Sequence, residues 1–152
     1  MKYLSLPLFT ATLLSILSIA SPVRAENPGH VQQLLLTGAC QNCDLSGADL
    51  AGTHLIGVDL RGADLSRANL HNANLEGADL TGANLSFADL TSTMLTNVVL
   101  DGATLEHVNM TEAQFYHASV IGASIVAIDI TNAEVFGTGI SIGGGAPPDF
   151  EF

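Results

Sequence analysis

Residues 63–92 read ADLSR-ANLHN-ANLEG-ADLTG-ANLSF-ADLTS, six units of five residues in which leucine returns at every fifth position. The spacing extends in both directions, so that a large apolar residue occupies every fifth position from Leu45 to Ile140, twenty times without interruption. A fixed internal period indicates a repeat architecture before any local pattern is considered. The first thirteen of these residues, Leu45 to Leu105, are leucine, and they are followed by Met110, Phe115, Val120, Ile125, Ile130, Val135 and Ile140.

Neither an α-helix nor a flat strand keeps every fifth residue on one side. Two residues before each large position stands a small or β-branched residue, which is alanine in twelve of the twenty units. That separation places both side chains on the same side of an extended strand, so the residue between them, usually Asp or Asn, points outward. The last position is glycine nine times and asparagine three times, as suits a corner with positive φ. Each unit is therefore a very short strand followed by a turn.

This pattern resembles the pentapeptide-repeat family, and the resemblance covers most of the chain after residue 40. It implies an all-β fold, a right-handed β-helix solenoid of square (quadrilateral) cross-section with four units per coil. Twenty units would then form about five coils between residues 40 and 142, and residues twenty positions apart would stack. One outward column would read Asp49, Asn69, Asp89, Asn109 and Asp129, in which neutral amides separate the carboxylates.

The first 25 residues have the layout of a secretory signal peptide. Lys2 precedes the apolar stretch Leu4 to Ala20, and Val23-Arg24-Ala25 offers small residues at a cleavage site. A membrane anchor is the alternative, but Pro7, Pro22 and the small-residue exit argue against it. We expect export to the periplasm or to a thylakoid lumen, with secretion as the alternative, and no membrane contact after cleavage.

Two further segments flank the repeats. In residues 26–39, Asn27 and Pro28 can begin a helix, Val31, Leu34 and Leu35 form an apolar stripe, and Gly38 can end it, so we expect a helix that caps the first coil. Residues 143–152 contain three glycines and two prolines, which indicates a flexible tail. Its two phenylalanines, Phe150 and Phe152, could instead fold over the last coil.

The charge of the chain disfavours several kinds of partner. All fifteen acidic residues follow residue 25, where Arg61 and Arg67 are the only lysine or arginine residues, so this portion carries a net charge of −13. Such a surface repels nucleic-acid phosphates and anionic lipid. We therefore expect no direct binding of nucleic acid or membrane.

Cys40 and Cys43 form a C-x2-C pair at the junction of cap and repeats. The five-residue register places Cys40 at a large inward position and Cys43 at a small one. In an exported protein the first interpretation is a disulfide that braces the first turn. Two buried free thiols are the alternative. A four-ligand zinc site lacks its other ligands.

Other titratable residues give weak site signals. The pair Asp59 and Asp79 would stack without a neutral spacer, which makes it a weak candidate for a cation site. The five histidines fall at scattered cap, outward or corner positions, and we interpret them as surface residues rather than metal ligands. No catalytic motif is present, so we expect no enzymatic activity and no cofactor. The histidines are His30, His54, His71, His107 and His117.

The outward positions become apolar toward the C-terminus, which indicates an interaction surface. With a period of twenty, Tyr116 and Phe136 would stack on one face. The tail or local repacking could instead cover this region. We name these residues the C-terminal patch, and they are Met94, Val99, Tyr116, Ile121, Val126 and Phe136.

The favoured function is a non-enzymatic exported scaffold or protein-interaction module, which would bind a protein partner or form a homodimer through its C-terminal half. The resemblance suggests an alternative, since some acidic family members mimic DNA and bind DNA gyrase. Export argues against gyrase, which is cytoplasmic. A weak binder of cations or small molecules on an outer column is a third hypothesis.

Overall fold

The computed structural model describes residues 27–139, which form one helix followed by a stack of short parallel strands and bridges. The predicted signal peptide, residues 1–25, and the predicted tail, residues 143–152, lie outside the described residues.

Helix α1, Pro28–Thr37, has the capping residues that its sequence predicts. The Asn27 side-chain oxygen accepts a hydrogen bond from the Gly29 backbone N–H at 3.1 Å. Gly38 ends the helix in the left-handed conformation, with φ of 68°, and its N–H donates to the Leu34 carbonyl at 2.9 Å. A left-handed residue at this position is favourable for glycine because it has no Cβ.

The helix contacts the first coil through a narrow side. Leu34 is buried in the core and Val31 packs against it, but Leu35 is 53% exposed. The prediction that Leu35 belongs to the buried stripe is therefore wrong. Successive helix residues point about 100° apart, so a ten-residue helix that buries Leu34 turns its neighbour outward.

Residues twenty positions apart pair in parallel along the described chain. Strand β1, Thr104–Glu106, pairs with β3, Ser124–Val126, and β2, Gln114–Tyr116, pairs with β4, Glu134–Phe136. Before β1 the same register appears as single bridges, beginning with Ala39 and Asp59. The predicted stacking interval is thus present along the whole ladder.

The bridges form four columns, and we number the faces of the rod after them. Each face contains the outward residue of one unit per coil together with its flanking residues. Face 1 contains Asp44, Asp64, Asn84, Thr104 and Ser124; face 2 contains Asp49, Asn69, Asp89, Asn109 and Asp129; face 3 contains His54, Asn74, Met94, Gln114 and Glu134; face 4 contains Ala39, Asp59, Asp79, Val99 and Ser119.

The core is the column of large apolar residues. Each leucine from Leu45 to Leu105 is completely buried, and Met110 and Phe115 continue the column at 1% exposure or less. From Val120 onward the large inward residues that the structure describes are only partly buried. Burial of the core column therefore decreases toward the C-terminal end of the described residues.

Outward Asp and Asn side chains stabilise the corners. Asp79 Oδ1 accepts a hydrogen bond from the Thr81 backbone N–H at 3.0 Å, which is the geometry of an Asx turn. Between coils, the Asn69 amide donates to Asp49 Oδ1 at 3.0 Å, so that amide and carboxylate attract each other. Acidic residues of these columns therefore have a role in the fold itself.

Candidate functional site

Cys40 and Cys43 form a disulfide at the junction of α1 and the first coil, as the first interpretation of the sequence predicts. Both residues are buried, at 0% and 4% exposure. Beside them the His30 ring Nδ1 accepts a hydrogen bond from the Asp44 backbone N–H at 3.0 Å, which ties the helix to the first unit. These contacts hold the cap in place and indicate a structural role.

The pair Asp59 and Asp79 already has a cation of the chain beside it. Arg61 donates two hydrogen bonds to Asp59, from Nε to Oδ1 at 2.8 Å and from Nη2 to Oδ2 at 2.6 Å. Its Nε also lies 3.7 Å from Asp79 Oδ2. The side-chain hydrogen bond from Arg61 holds the pKa of Asp59 well below its usual range, against a smaller opposing effect of desolvation.

Arg61 therefore supplies the positive charge that an external cation would bring. In residues 27–139 no group of three or more His, Cys, Asp or Glu side chains is arranged to hold a metal ion. The structure thus gives no support to a cation site at Asp59 and Asp79.

The C-terminal patch occupies several faces. Tyr116 and Phe136 pair across β2 and β4 on face 3, where the Tyr116 hydroxyl donates to Glu134 Oε2 and the His117 ring meets the Phe136 ring edge-on at 5.5 Å. Met94 lies on the same face and is 39% exposed, whereas Phe136 is 59% exposed. Face 3 therefore presents an apolar and aromatic surface.

The remaining members of the C-terminal patch continue onto other faces. Val99 lies on face 4 and is partly buried, and Ile121 extends from the same face with 77% of its surface exposed. Val126 pairs with Glu106 on face 1. The whole of face 4 therefore separates Val126 from Tyr116 and Phe136, so the six residues do not share one surface.

An aromatic cluster that sequence analysis missed lies at the corner after face 1. The Arg67 guanidinium carbon lies 5.6 Å from the Phe87 ring centroid, and the Phe87 and His107 rings stack at 5.0 Å with an angle of 11° between their planes. Phe87 is 54% exposed. These three residues follow each other at intervals of twenty in the turn position, and that interval was the signal available in the sequence.

None of the described helices is long and apolar enough to span a membrane.

Comparison with known proteins identifies the repeat. The family model for pentapeptide repeats matches residues 43–82 and 83–120, with eight copies. No curated protein matches the chain significantly. A crystal structure of a pentapeptide repeat protein from the thylakoid lumen of Arabidopsis thaliana is 32% identical, with a TM-score of 0.59 and coverage of 72% of each chain.

Two further solved structures are similar. QnrB1, a plasmid-mediated fluoroquinolone resistance protein, is 24% identical over 66% of this chain and 61% of its own, with a TM-score of 0.50, a likeness that shows the fold alone. Rfr23, a pentapeptide repeat protein from the cyanobacterium Cyanothece 51142, is 24% identical over 73% of this chain and 92% of its own, with a TM-score of 0.46. The family-model match and the 32% identical lumenal structure show that the chain belongs to the pentapeptide repeat family and has its right-handed β-helix fold.

Proposed function

We propose that this protein is a non-enzymatic scaffold that binds a protein partner, or a second copy of itself, through faces 3 and 4 of its C-terminal half. The observation that carries this proposal is the exposure of Phe136 beside Tyr116 on face 3, together with Ile121 on face 4. Exposed apolar and aromatic side chains gathered on adjoining faces are typical of protein contacts.

The acidic surface restricts the partner. Interface centres are poor in charged residues and rich in aromatic ones, while the surrounding rim is polar. On face 3 the Glu134 carboxylate accepts a hydrogen bond from the Tyr116 hydroxyl, so this negative charge lies among the aromatic side chains of face 3. A partner that places a hydrogen-bond donor near Glu134 and apolar side chains on Phe136 would match this surface.

We also infer that the protein is exported, to the periplasm or to a thylakoid lumen. The support is the signal-like composition of residues 1–25, the Cys40–Cys43 disulfide and the similarity to a lumenal protein. Disulfides persist mainly in oxidising compartments.

We also propose that the solenoid has a square cross-section and about five coils. The support is the four columns of bridges and the pairing of residues twenty positions apart.

The test is the combined substitution Tyr116→Asp and Phe136→Asp in residues 26–152, followed by light scattering and by pull-down from the periplasm or lumen of the source cells. We expect the double variant to lose the dimer or the partner that the wild-type protein retains. Phe136 is exposed and Tyr116 is only partly buried outside the core column, so the two added charges should leave the circular dichroism spectrum unchanged.

Ile56→Asp provides the matched control. Ile56 stands in the same turn position of face 3 as Tyr116 and Phe136, is 57% exposed, and belongs to the first coils. The control should leave binding unchanged. An equal oligomeric mass and equal partner binding in the wild type and the double variant would refute the scaffold proposal. Retention of tagged full-length protein in the cytosol would refute export and would favour DNA mimicry instead.

A further inference from the structure

The corner after face 1 holds large side chains where the other corners hold mostly small or short ones. By the register of twenty, this corner column consists of Gly47, Arg67, Phe87, His107 and Ala127. The corner after face 4, by contrast, reads Asn42, Gly62, Gly82, Gly102 and Gly122 over the described residues. Three planar side chains in succession are thus concentrated in a single column, which we call the stacked column: Arg67, Phe87 and His107.

The stacked column is held in an unfavourable backbone conformation. Arg67, Phe87 and His107 have φ of 58°, 62° and 55°, and Ala127 has φ of 52°. For a bulky residue a positive φ is a genuine outlier, whereas glycine or asparagine adopts it readily. Seven described residues with positive φ are neither glycine nor asparagine, and four of them are in this column. Positive φ recurs at the corner position along the described rod, so this column is distinguished by its large side chains rather than by its backbone.

Within the stack the Phe87 ring is covered on both faces, whereas the His107 ring lies at the end of the stack. One face of the Phe87 ring meets the Arg67 guanidinium and the other meets the His107 ring, so both faces of Phe87 are in use. The next residue in the column after His107 is Ala127, which is exposed and carries only a methyl group. The outer face of the His107 ring therefore adjoins a place above Ala127 where one more planar group can stack.

One carboxylate, that of Glu106, extends toward that place. Glu106 reaches into the coil of Ala127, since its Oε1 accepts a hydrogen bond from the Ser124 hydroxyl at 3.4 Å. Asp129, two residues beyond Ala127, faces the next corner instead, where its Oδ1 accepts hydrogen bonds from the Thr131 hydroxyl and backbone N–H. A planar cation fits this combination better than a neutral ring, because it stacks on the imidazole and is attracted by the Glu106 carboxylate.

We propose that the guanidinium of an arginine in a basic partner segment binds above Ala127, where it continues the stacked column against the outer face of His107. Arg67 on Phe87 already shows a guanidinium stacked on an aromatic ring of this column. The net charge of −13 attracts a basic segment, and the stack selects arginine over lysine. This site does not include Tyr116, Phe136 or Ile121, so it and the proposed scaffold surface can fail independently.

The test is an NMR titration of residues 26–152 with the capped tripeptide acetyl-Gly-Arg-Gly-amide at low ionic strength. We expect saturable shifts at the Ala127 methyl group and the His107 ring. His107→Ala should weaken binding about two- to fivefold, the usual effect of one exposed cation–π contact. His107→Phe should retain binding, because a planar ring remains at the end of the stack.

Two comparisons separate stacking from general attraction. Acetyl-Gly-Lys-Gly-amide carries the same charge without a planar group and should shift Ala127 much less. His117→Ala removes another corner histidine with positive φ, on face 3, and should leave the titration unchanged. Equal shifts from both peptides, no shift at Ala127, or equal weakening by His117→Ala and His107→Ala would each overturn the proposal.

Discussion

Leu80→Ala should destabilise the protein by about 3–5 kcal/mol. Leu80 is completely buried at the middle of the rod, and removal of its three terminal carbons costs about 2.4 kcal/mol in transfer free energy. Its neighbours in the column, Leu60 and Leu100, are also completely buried, and its backbone N–H donates to the Val99 carbonyl at 2.7 Å. Backbone hydrogen bonds between coils hold the surroundings of Leu80 in place, so they relax little when the side chain is truncated. The cavity that remains therefore adds to the loss of unfolding free energy.

The assay is urea unfolding followed by far-ultraviolet circular dichroism, with Leu36→Ala as the control. Leu36 is 75% exposed on α1, so its truncation should cost no more than about 0.5 kcal/mol. Ile130→Ala, at the partly buried end of the same core, should fall between the two. If Leu80→Ala cost less than about 1 kcal/mol, or no more than Leu36→Ala, the column of leucines would not be the tightly packed core described above.

Three further predictions concern corners, charges and the disulfide. Gly77→Ala should cost about 1–2 kcal/mol because its φ is 68°, and Gly62→Ala should cost about the same, since the only close atom is the Asn42 Oδ1 at the end of a side chain that can turn away; a melting temperature equal to that of the wild type in either variant would contradict this. Arg61→Gln should lower stability at neutral pH, because Arg61 depresses the pKa of Asp59 in the folded protein. The difference should start to shrink as pH falls below the ordinary Asp value of 3.8 and should be lost only in strong acid, where the folded-state carboxyl itself becomes protonated; a constant gap in unfolding free energy across this range would refute it. Reduction of the disulfide should cost only about 2 kcal/mol in urea unfolding, since it closes a very short loop, and global unfolding on reduction would show a larger role.

Much of the fold follows from the sequence because the repeat dictates both spacing and direction. The pairing of Asp49 with Asn69 and the burial of Leu80 result from a period that every unit shares. The orientation of α1 does not follow in the same way. A run of three leucines at 34–36 offers several apolar sides, and only contact with the first coil decides that Leu34 is buried and Leu35 is exposed.

The surface was less predictable, because its contacts join residues that the unit pattern treats separately. Arg61 occupies a turn position, yet its side chain reaches back to Asp59 and toward Asp79, and nothing in the period indicates this. Phe87 stands at a corner position that the repeat pattern assigns by backbone conformation, so the pattern itself does not indicate that its side chain stacks with those one coil away. Its partner His107 was interpreted as a scattered surface histidine, whereas it stacks on the Phe87 ring.

The register of twenty has a consequence for how such a chain can change in length. An insertion or deletion of one five-residue unit leaves every later large residue pointing inward, so the core and its hydrogen bonds persist. However, it moves every later outward residue to the neighbouring face, and Tyr116 would pass from face 3 to face 4 after a single inserted unit. Gain or loss of units therefore changes which side chains share a face at little cost to folding, and only changes of a whole coil preserve these groupings.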